Sequence, residues 1–179
     1  MGVIFVAGCY GVGKSTLLES IFEKTKIPHF SAGMLISEVN DETYGRNKYV
    51  TNKKNNQALL IEQIEKKLKT YPLFFLDGHF CILKKGNIPD LLSLDDLAKM
   101  HFEKILLLEA DPVRLQQNLL HRDKKDYSLL EITTLMTAEH HQAEIFSNHT
   151  GTPLYIHHMQ YNGYDEKEVI EFLAGVLNG

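Results

Sequence analysis

An α/β fold, with a parallel sheet covered by helices on both faces, is predicted by three observations. Short apolar, β-branched runs alternate with stretches of helical periodicity. The runs read as strands buried on both faces, the pattern of a parallel sheet between two helical layers. A glycine-rich segment separates the first run from the first helical stretch. The chain has 179 residues, of which 44% are hydrophobic, enough for one domain with a sizeable core.

The elements follow in order. Val3-Ile4-Phe5-Val6-Ala7 is the first strand, and Leu17, Leu18, Ile21 and Phe22 mark the first helix. Ile27-Pro28-His29-Phe30 is a candidate short second strand, with Pro28 weakening the strand signal. A polar stretch from Ser37 to Asn56 precedes a helix carrying Leu60, Ile61, Ile64 and Leu68. Leu73-Phe74-Phe75-Leu76-Asp77 is a third strand ending in an acid. Ser93 with Asp96 opens a helix through Met100, and Ile105-Leu106-Leu107-Leu108-Glu109 is the fourth strand. Asp111-Pro112 is an N-cap with proline at the first helical position. Ser128-Leu129-Leu130-Glu131 is a capping box opening a long helix towards Phe146. Pro153-Leu154-Tyr155-Ile156 is the fifth strand, and Asp165 to Glu168 starts the last helix.

The glycine-rich segment carries the chemistry. Gly8-Cys9-Tyr10-Gly11-Val12-Gly13-Lys14-Ser15 matches G-x-x-x-x-G-K-[ST] at every fixed position. Its glycines let the backbone curl so that successive N–H groups face one concavity, where each can bond a phosphate oxygen. The helix starting near Lys14 adds its positive N-terminal end. In that arrangement Lys14 reaches the β- and γ-phosphates of ATP and the Ser15 hydroxyl ligates magnesium. Cys9 inside the loop is either a thiol activated at a helix N-terminus or a filler lending only its backbone.

A second acid completes the expected metal site. Asp77 ends the strand that precedes Gly78-His79, and an acid there faces magnesium directly or through water. The alternative is an ordinary turn aspartate. His79 either orients a water and shuttles a proton or is a plain loop residue. The other histidines, His140-His141 and His157-His158 among them, form no metal-ligand pattern and read as structural or solvated. His121-Arg122-Asp123-Lys124-Lys125-Asp126 is a basic turn that either closes over a triphosphate or is a solvated helix connection. Arg46, Lys48, Lys53 and Lys54 form another basic stretch, where this architecture holds a second substrate.

The net charge of -4 provides no global field for nucleic acid or an acidic membrane. No apolar run approaches the roughly 20 residues of a membrane span. Two cysteines without CxxC spacing argue against a disulfide framework or zinc site. Apolar residues begin at Val3, which leaves no room for a charged signal-peptide segment, so the cytoplasm is the expected compartment.

Taken together, GCYGVGKST, FLDGHF, ILLLEADPVRL, HRDKKD and the helix containing EHHQAE resemble the adenylate-kinase branch of P-loop kinases, closest to the archaeal-type enzymes. The resemblance implies a three-layer P-loop sandwich with a five-stranded parallel sheet in the order 2-3-1-4-5. It implies an acceptor-binding region around residues 30–70 and a short lid around 121–127. Carried over by position, Gly8 to Thr16 hold ATP, Asp77 serves magnesium, and Arg122 with Lys125 are lid cations. The chain departs from the family in having only Arg46, Arg114 and Arg122 as arginines. Lysine does not reproduce the bidentate arginine fork, which argues against AMP as acceptor and leaves ATP binding intact. Two functions follow. One is a kinase passing the γ-phosphoryl of ATP to a small acceptor, a nucleotide or nucleoside. The other is an ATP-dependent switch or assembly factor that hydrolyses slowly and acts on a protein or RNA partner.

Overall fold

The computed structural model describes residues 2–40, 53–84, 88–124 and 126–177. The expected strands and helices form where the apolar runs placed them. Strand β1 (Gly2–Gly8) is buried along its whole length, with α1 (Lys14–Thr25) following the glycine-rich loop. Next come β2 (His29–Ser31), α2 (Ala32–Asn40), α3 (Lys53–Leu68) and β3 (Leu73–Asp77). An antiparallel ribbon follows, β4 (Cys81–Lys84) with β5 (Ile88–Leu91), and then α4 (Leu94–Ala98). The chain closes with β6 (Phe102–Glu109), α5 (Pro112–Asp123), α6 (Leu129–Thr150), β7 (Leu154–His158) and α7 (Asp165–Leu177).

The main sheet is five-stranded, with spatial order β2-β3-β1-β6-β7 and every pairing parallel. The expected order 2-3-1-4-5 differs in detail, because the strands taken as fourth and fifth are the sixth and seventh along the chain. The β4–β5 ribbon between β3 and β6 had no strong sequence signal: its strands have four residues each, and Pro89 interrupts the second. Pro28 lies just before β2 rather than within it, and β2 is an edge strand.

Successive residues of β1 point into different cores. Ile4 and Val6 join a cluster with Leu17, Leu18, Ile21 and Leu115, while Val3, Phe5 and Ala7 join one with Leu35, Leu60, Ile64 and Phe146. This is the period of two expected of a strand sandwiched between helical layers. Phe5 stacks on Phe102 at a centroid separation of 4.4 Å and meets the edge of Phe80 at 5.1 Å, which ties the strand order to one aromatic cluster.

The caps behave as their sequences predict. The Asp111 carboxylate accepts from Val113 N–H and Arg114 N–H, both at 3.0 Å, and Pro112 occupies the first turn. Ser128 and Glu131 make the reciprocal bonds of a capping box. Three boundaries differ from expectation. The stretch from Ser37 is not all loop, since α2 runs to Asn40. The helix opened by Ser93 stops at Ala98 instead of reaching Met100. The basic turn is shorter than expected, because His121, Arg122 and Asp123 complete α5 and Lys124 ends it in a left-handed cap with φ 55°.

Among the described residues no helix is long and apolar enough to cross a membrane.

Candidate functional site

The loop between β1 and α1 needs glycine at two places. At Gly8, with φ 141°, a Cβ would sit 2.4 Å from the Leu108 carbonyl oxygen. Gly13 caps α1 in a left-handed conformation, φ 96°, that other residues adopt only with strain. Neighbouring elements hold the loop between these points. Asn118 Nδ2 donates to the Gly11 carbonyl at 3.0 Å, and the Tyr161 hydroxyl donates to the Val12 carbonyl at 3.2 Å. Arg114 lies over the Tyr161 ring, 5.1 Å from its centroid.

Lys14 and Ser15, consecutive at the start of α1, both meet Asp77 at the end of β3. The Ser15 hydroxyl donates to Asp77 Oδ2 at 3.0 Å, and Lys14 Nζ lies 3.8 Å from Asp77 Oδ1. Lys14 Nζ also donates to the carbonyls of Gly8 at 2.7 Å and Cys9 at 3.4 Å. Parallel pairing sets this meeting: β1 and β3 lie side by side in register, Val6 opposite Asp77, so both strands deliver their C-terminal ends to one edge. That edge is where ligands bind in open α/β sheets. A cleft of about 910 Å³ opens there, lined by Tyr10 to Thr16, Asp77 and His79.

The donor set fits magnesium. A hydroxyl and a carboxylate oxygen 3.0 Å apart match two neighbouring ligands of an octahedron with bonds of about 2.1 Å. Among the described residues no cluster of three or more His, Cys, Asp or Glu could hold a metal. An ion at Ser15 and Asp77 would suit magnesium by the chemistry of these two oxygens, since magnesium usually takes one or two protein ligands and completes its shell with water and phosphate.

The remaining expected residues divide. Cys9 is 5% exposed, and burial pushes its thiol well above the usual range, with the Glu139 charge adding to the shift. Burial thus speaks against the activated-thiol alternative and for Cys9 lending its backbone, whose carbonyl accepts from Lys14. His79 lines the cleft, its ring tilted against that of Tyr10 with centroids 4.1 Å apart. Arg122 also lines the cleft, but its guanidinium is paired with Asp123 through Nε at 2.8 Å and Nη2 at 3.1 Å. Lys125, Arg46 and Lys48 lie outside the described residues, as do the side chains of Lys53 and Lys54. His157 is 3% exposed and bonded to Asp165 at 2.9 Å, a structural histidine. Phe146 is 1% exposed against Phe80 and Phe102, so that position serves the core.

Glu139 is the residue the sequence reading missed. It is 2% exposed, on the inner face of α6. Its Oε1 accepts from Gly8 N–H at 3.1 Å and Phe80 N–H at 2.9 Å, and its Oε2 accepts from Cys81 N–H at 2.9 Å and the Cys81 thiol at 3.1 Å. One carboxyl thus ties the start of the glycine-rich loop to the segment just after Asp77. Burial raises its pKa, against the bonds from Phe80 and Cys81 and the Lys14 charge, which lower it. A signal was present: from Ile132 and Leu135 the helical spacing puts 139 and 142 on the same buried stripe.

With this geometry in place, the chain can be compared with known proteins. A family model described as an AAA domain matches residues 7–136. No curated protein matches the chain. Among solved structures, a gluconokinase from Sinorhizobium meliloti 1021 superposes with TM-score 0.63 at 16% identity, over 99% of this chain and 94% of that one. A shikimate kinase from Bacteroides thetaiotaomicron gives TM-score 0.61 at 16% identity, over 99% of both chains. At such identity these two share the fold with this chain.

Proposed function

The chain belongs to the AAA domain family, and from that premise we propose that it is an ATP-dependent phosphotransferase moving the γ-phosphoryl of ATP to a small acceptor, a nucleotide or nucleoside. The observation that carries the proposal is the convergence of Lys14, Ser15 and Asp77 at the mouth of one cleft, within 3.8 Å of one another's polar atoms through Asp77. The two superposed structures, both named as kinases, support the same reading.

Each residue has a role in it. Backbone N–H groups from Gly8 to Thr16 hold the phosphates, and α1 adds its positive end. Lys14 turns from the Gly8 carbonyl to the β- and γ-phosphates, placing a cation where charge develops. Ser15 and Asp77 would hold magnesium, which would supply charge neutralisation at the phosphates. Residues around 30–70 receive the acceptor, and Arg122 with Lys125 close over the transferring group as a lid, with Arg122 leaving Asp123 to do so. Catalysis here is mostly positioning plus electrostatics.

Asp77→Asn tests the metal role. It keeps size and removes the charge, so turnover should fall, most at limiting magnesium, with only a modest loss of nucleotide affinity. A titration of magnesium showing the wild-type turnover curve would reduce Asp77 to a turn residue.

One observation favours the second reading, an ATP-dependent switch acting on a protein or RNA partner: among the described residues Arg122 is bonded to its own neighbour Asp123. Arg122→Ala combined with Lys125→Ala separates the two. For the kinase, kcat falls more than KM rises, by about 2–4 kcal/mol of transition-state stabilisation per lost contact. For the switch, ATP hydrolysis is unchanged with and without acceptor. Steady-state turnover in both conditions decides between them.

A further inference from the structure

Two carbonyls of the phosphate loop are held from outside it. Asn118 of α5 holds that of Gly11 at 3.0 Å, and the Tyr161 hydroxyl holds that of Val12 at 3.2 Å. A trans peptide is planar, so each C=O points opposite to the N–H of the next residue. Fixing the Gly11 carbonyl sets the Val12 N–H, which closes a turn on the Cys9 carbonyl at 3.3 Å. Fixing the Val12 carbonyl sets the Gly13 N–H, which points away from Tyr161. Gly13 lines the cleft with φ 96°. A peptide next to glycine turns over at little steric cost. An outside bond is what selects its orientation.

The group that makes this bond is itself held from several sides. Tyr161 lies in the turn between β7 and α7 with φ 55°, a left-handed conformation uncommon for a side chain of its size. The Asp165 carboxylate, at the start of α7, accepts from Gln160 N–H at 2.7 Å and Tyr161 N–H at 2.8 Å, and pairs with buried His157 at 2.9 Å. Arg114 covers the ring on one side. The ring also lies against Gly13, where a Cβ would come within 3.7 Å of Tyr161 Cε1. Burial raises the phenol pKa to about 12, so the hydroxyl keeps its proton and remains a donor at neutral pH. An unfavourable backbone conformation is thus maintained by Asp165, and its product is one hydroxyl placed on the phosphate loop.

We propose that Tyr161 is a positioning residue for phosphate binding: its hydroxyl holds the Val12 carbonyl outward and so aims the Gly13 N–H at the bound phosphates. The inference rests on the phosphate-loop part of the proposed function and extends it to the turn after β7. An amide aimed at a phosphate oxygen makes a charge-assisted bond. The same peptide turned over presents its carbonyl, the negative end of its dipole, to that oxygen. On this assignment Tyr161 serves the polyphosphate and not the base or the sugar.

The test compares wild type with Tyr161→Phe, which removes the hydroxyl and keeps the ring against Gly13 and Arg114. Calorimetry measures magnesium-ATP and magnesium-tripolyphosphate, the second having phosphates but no nucleoside. Both affinities should fall by the same factor, roughly three- to tenfold, the worth of one hydrogen bond. In amide spectra of the free protein the Gly13 signal should shift, while that of Gln160, held by Asp165, stays in place. Where tripolyphosphate binds wild type too weakly to titrate, the Gly13 signal and its response to ATP decide. A loss for ATP with none for tripolyphosphate assigns Tyr161 to the nucleoside and overturns the inference. Unchanged affinities or an unmoved Gly13 signal overturn it too. A Gln160 signal that moves, or a variant that does not fold, makes the hydroxyl a structural support of the turn, which also overturns it. Each of these results leaves the phosphate-loop reading standing; wild type that binds neither ligand overturns both.

Discussion

Lys14→Ala is expected to fold and to lose nearly all ATP-dependent turnover. The side chain is 7% exposed, and the described partners of its ammonium are polar: the Gly8 and Cys9 carbonyls and Asp77, the last of which lines the cleft. Removing it deletes the one described cation placed at both the phosphate loop and Asp77. The loss corresponds to about 2–4 kcal/mol of transition-state stabilisation, by analogy with one deleted charge-assisted donor, or roughly 30- to 1,000-fold in kcat/KM. Stability should change far less, since losing hydrogen bonds to a charged group costs about 1.5–3 kcal/mol each and is offset by no longer burying the ammonium. Circular dichroism establishes that the variant is folded, and calorimetry with ATP-magnesium measures its binding. A folded variant with wild-type affinity and turnover would sink the role given to the loop.

Glu139→Gln is expected to weaken both the fold and ATP binding, although residue 139 touches no phosphate. Each carboxyl oxygen accepts two bonds, so an amide in its place turns an NH₂ group towards two donors whichever way it is oriented. Either the Gly8 and Phe80 amides or the Cys81 amide and thiol lose their acceptor. Leaving buried donors unsatisfied costs about 1–3 kcal/mol each, so a net loss of roughly 2–4 kcal/mol is expected. For a domain of this size each kcal/mol lowers Tm by about 2–4 °C. Glu139→Ala removes all four bonds and opens a cavity, and should approach the limit of a domain whose total stability is about 5–15 kcal/mol. The amide variant is the informative one. If the carboxyl positions the loop, ATP affinity falls in the folded protein at temperatures well below its Tm. A Tm within 1 °C of wild type would show that the four bonds carry no net stabilisation, and unchanged ATP affinity would show that the loop keeps its shape without them.

The elements legible in the sequence are those whose cause is local. The phosphate loop is contiguous because consecutive N–H groups build its concavity, so its glycines and Lys14 announce themselves within eight residues. The caps at Asp111 and Ser128 depend on partners two and three residues away. The strands declared themselves by unbroken apolar runs, since a strand in the middle of a three-layer fold has no wet face. The β4–β5 ribbon and α2 were illegible for the opposite reason. Four-residue strands and a helix beginning Ala32-Gly33 are stabilised by what covers them, and α6 contacts both β4 and β5.

The sequence by itself determined an α/β domain with a phosphate-loop motif and named the candidate residues for phosphate and metal. Only the tertiary structure decided which of them meet. Ser15 and Asp77 are 62 residues apart and bond because parallel β1 and β3 end at the same edge. Glu139 sits 131 residues from Gly8; helical spacing places it on the buried stripe of α6, but only the packing of α6 against the loop makes it the acceptor for the Gly8 amide. Arg122 reads as a free lid cation and is instead bonded to Asp123, because α5 continues one turn further than its charges suggest. Local rules state what a residue is able to bond; which bond forms depends on the elements packed against it, and those are set by the burial of apolar surface across the whole sheet.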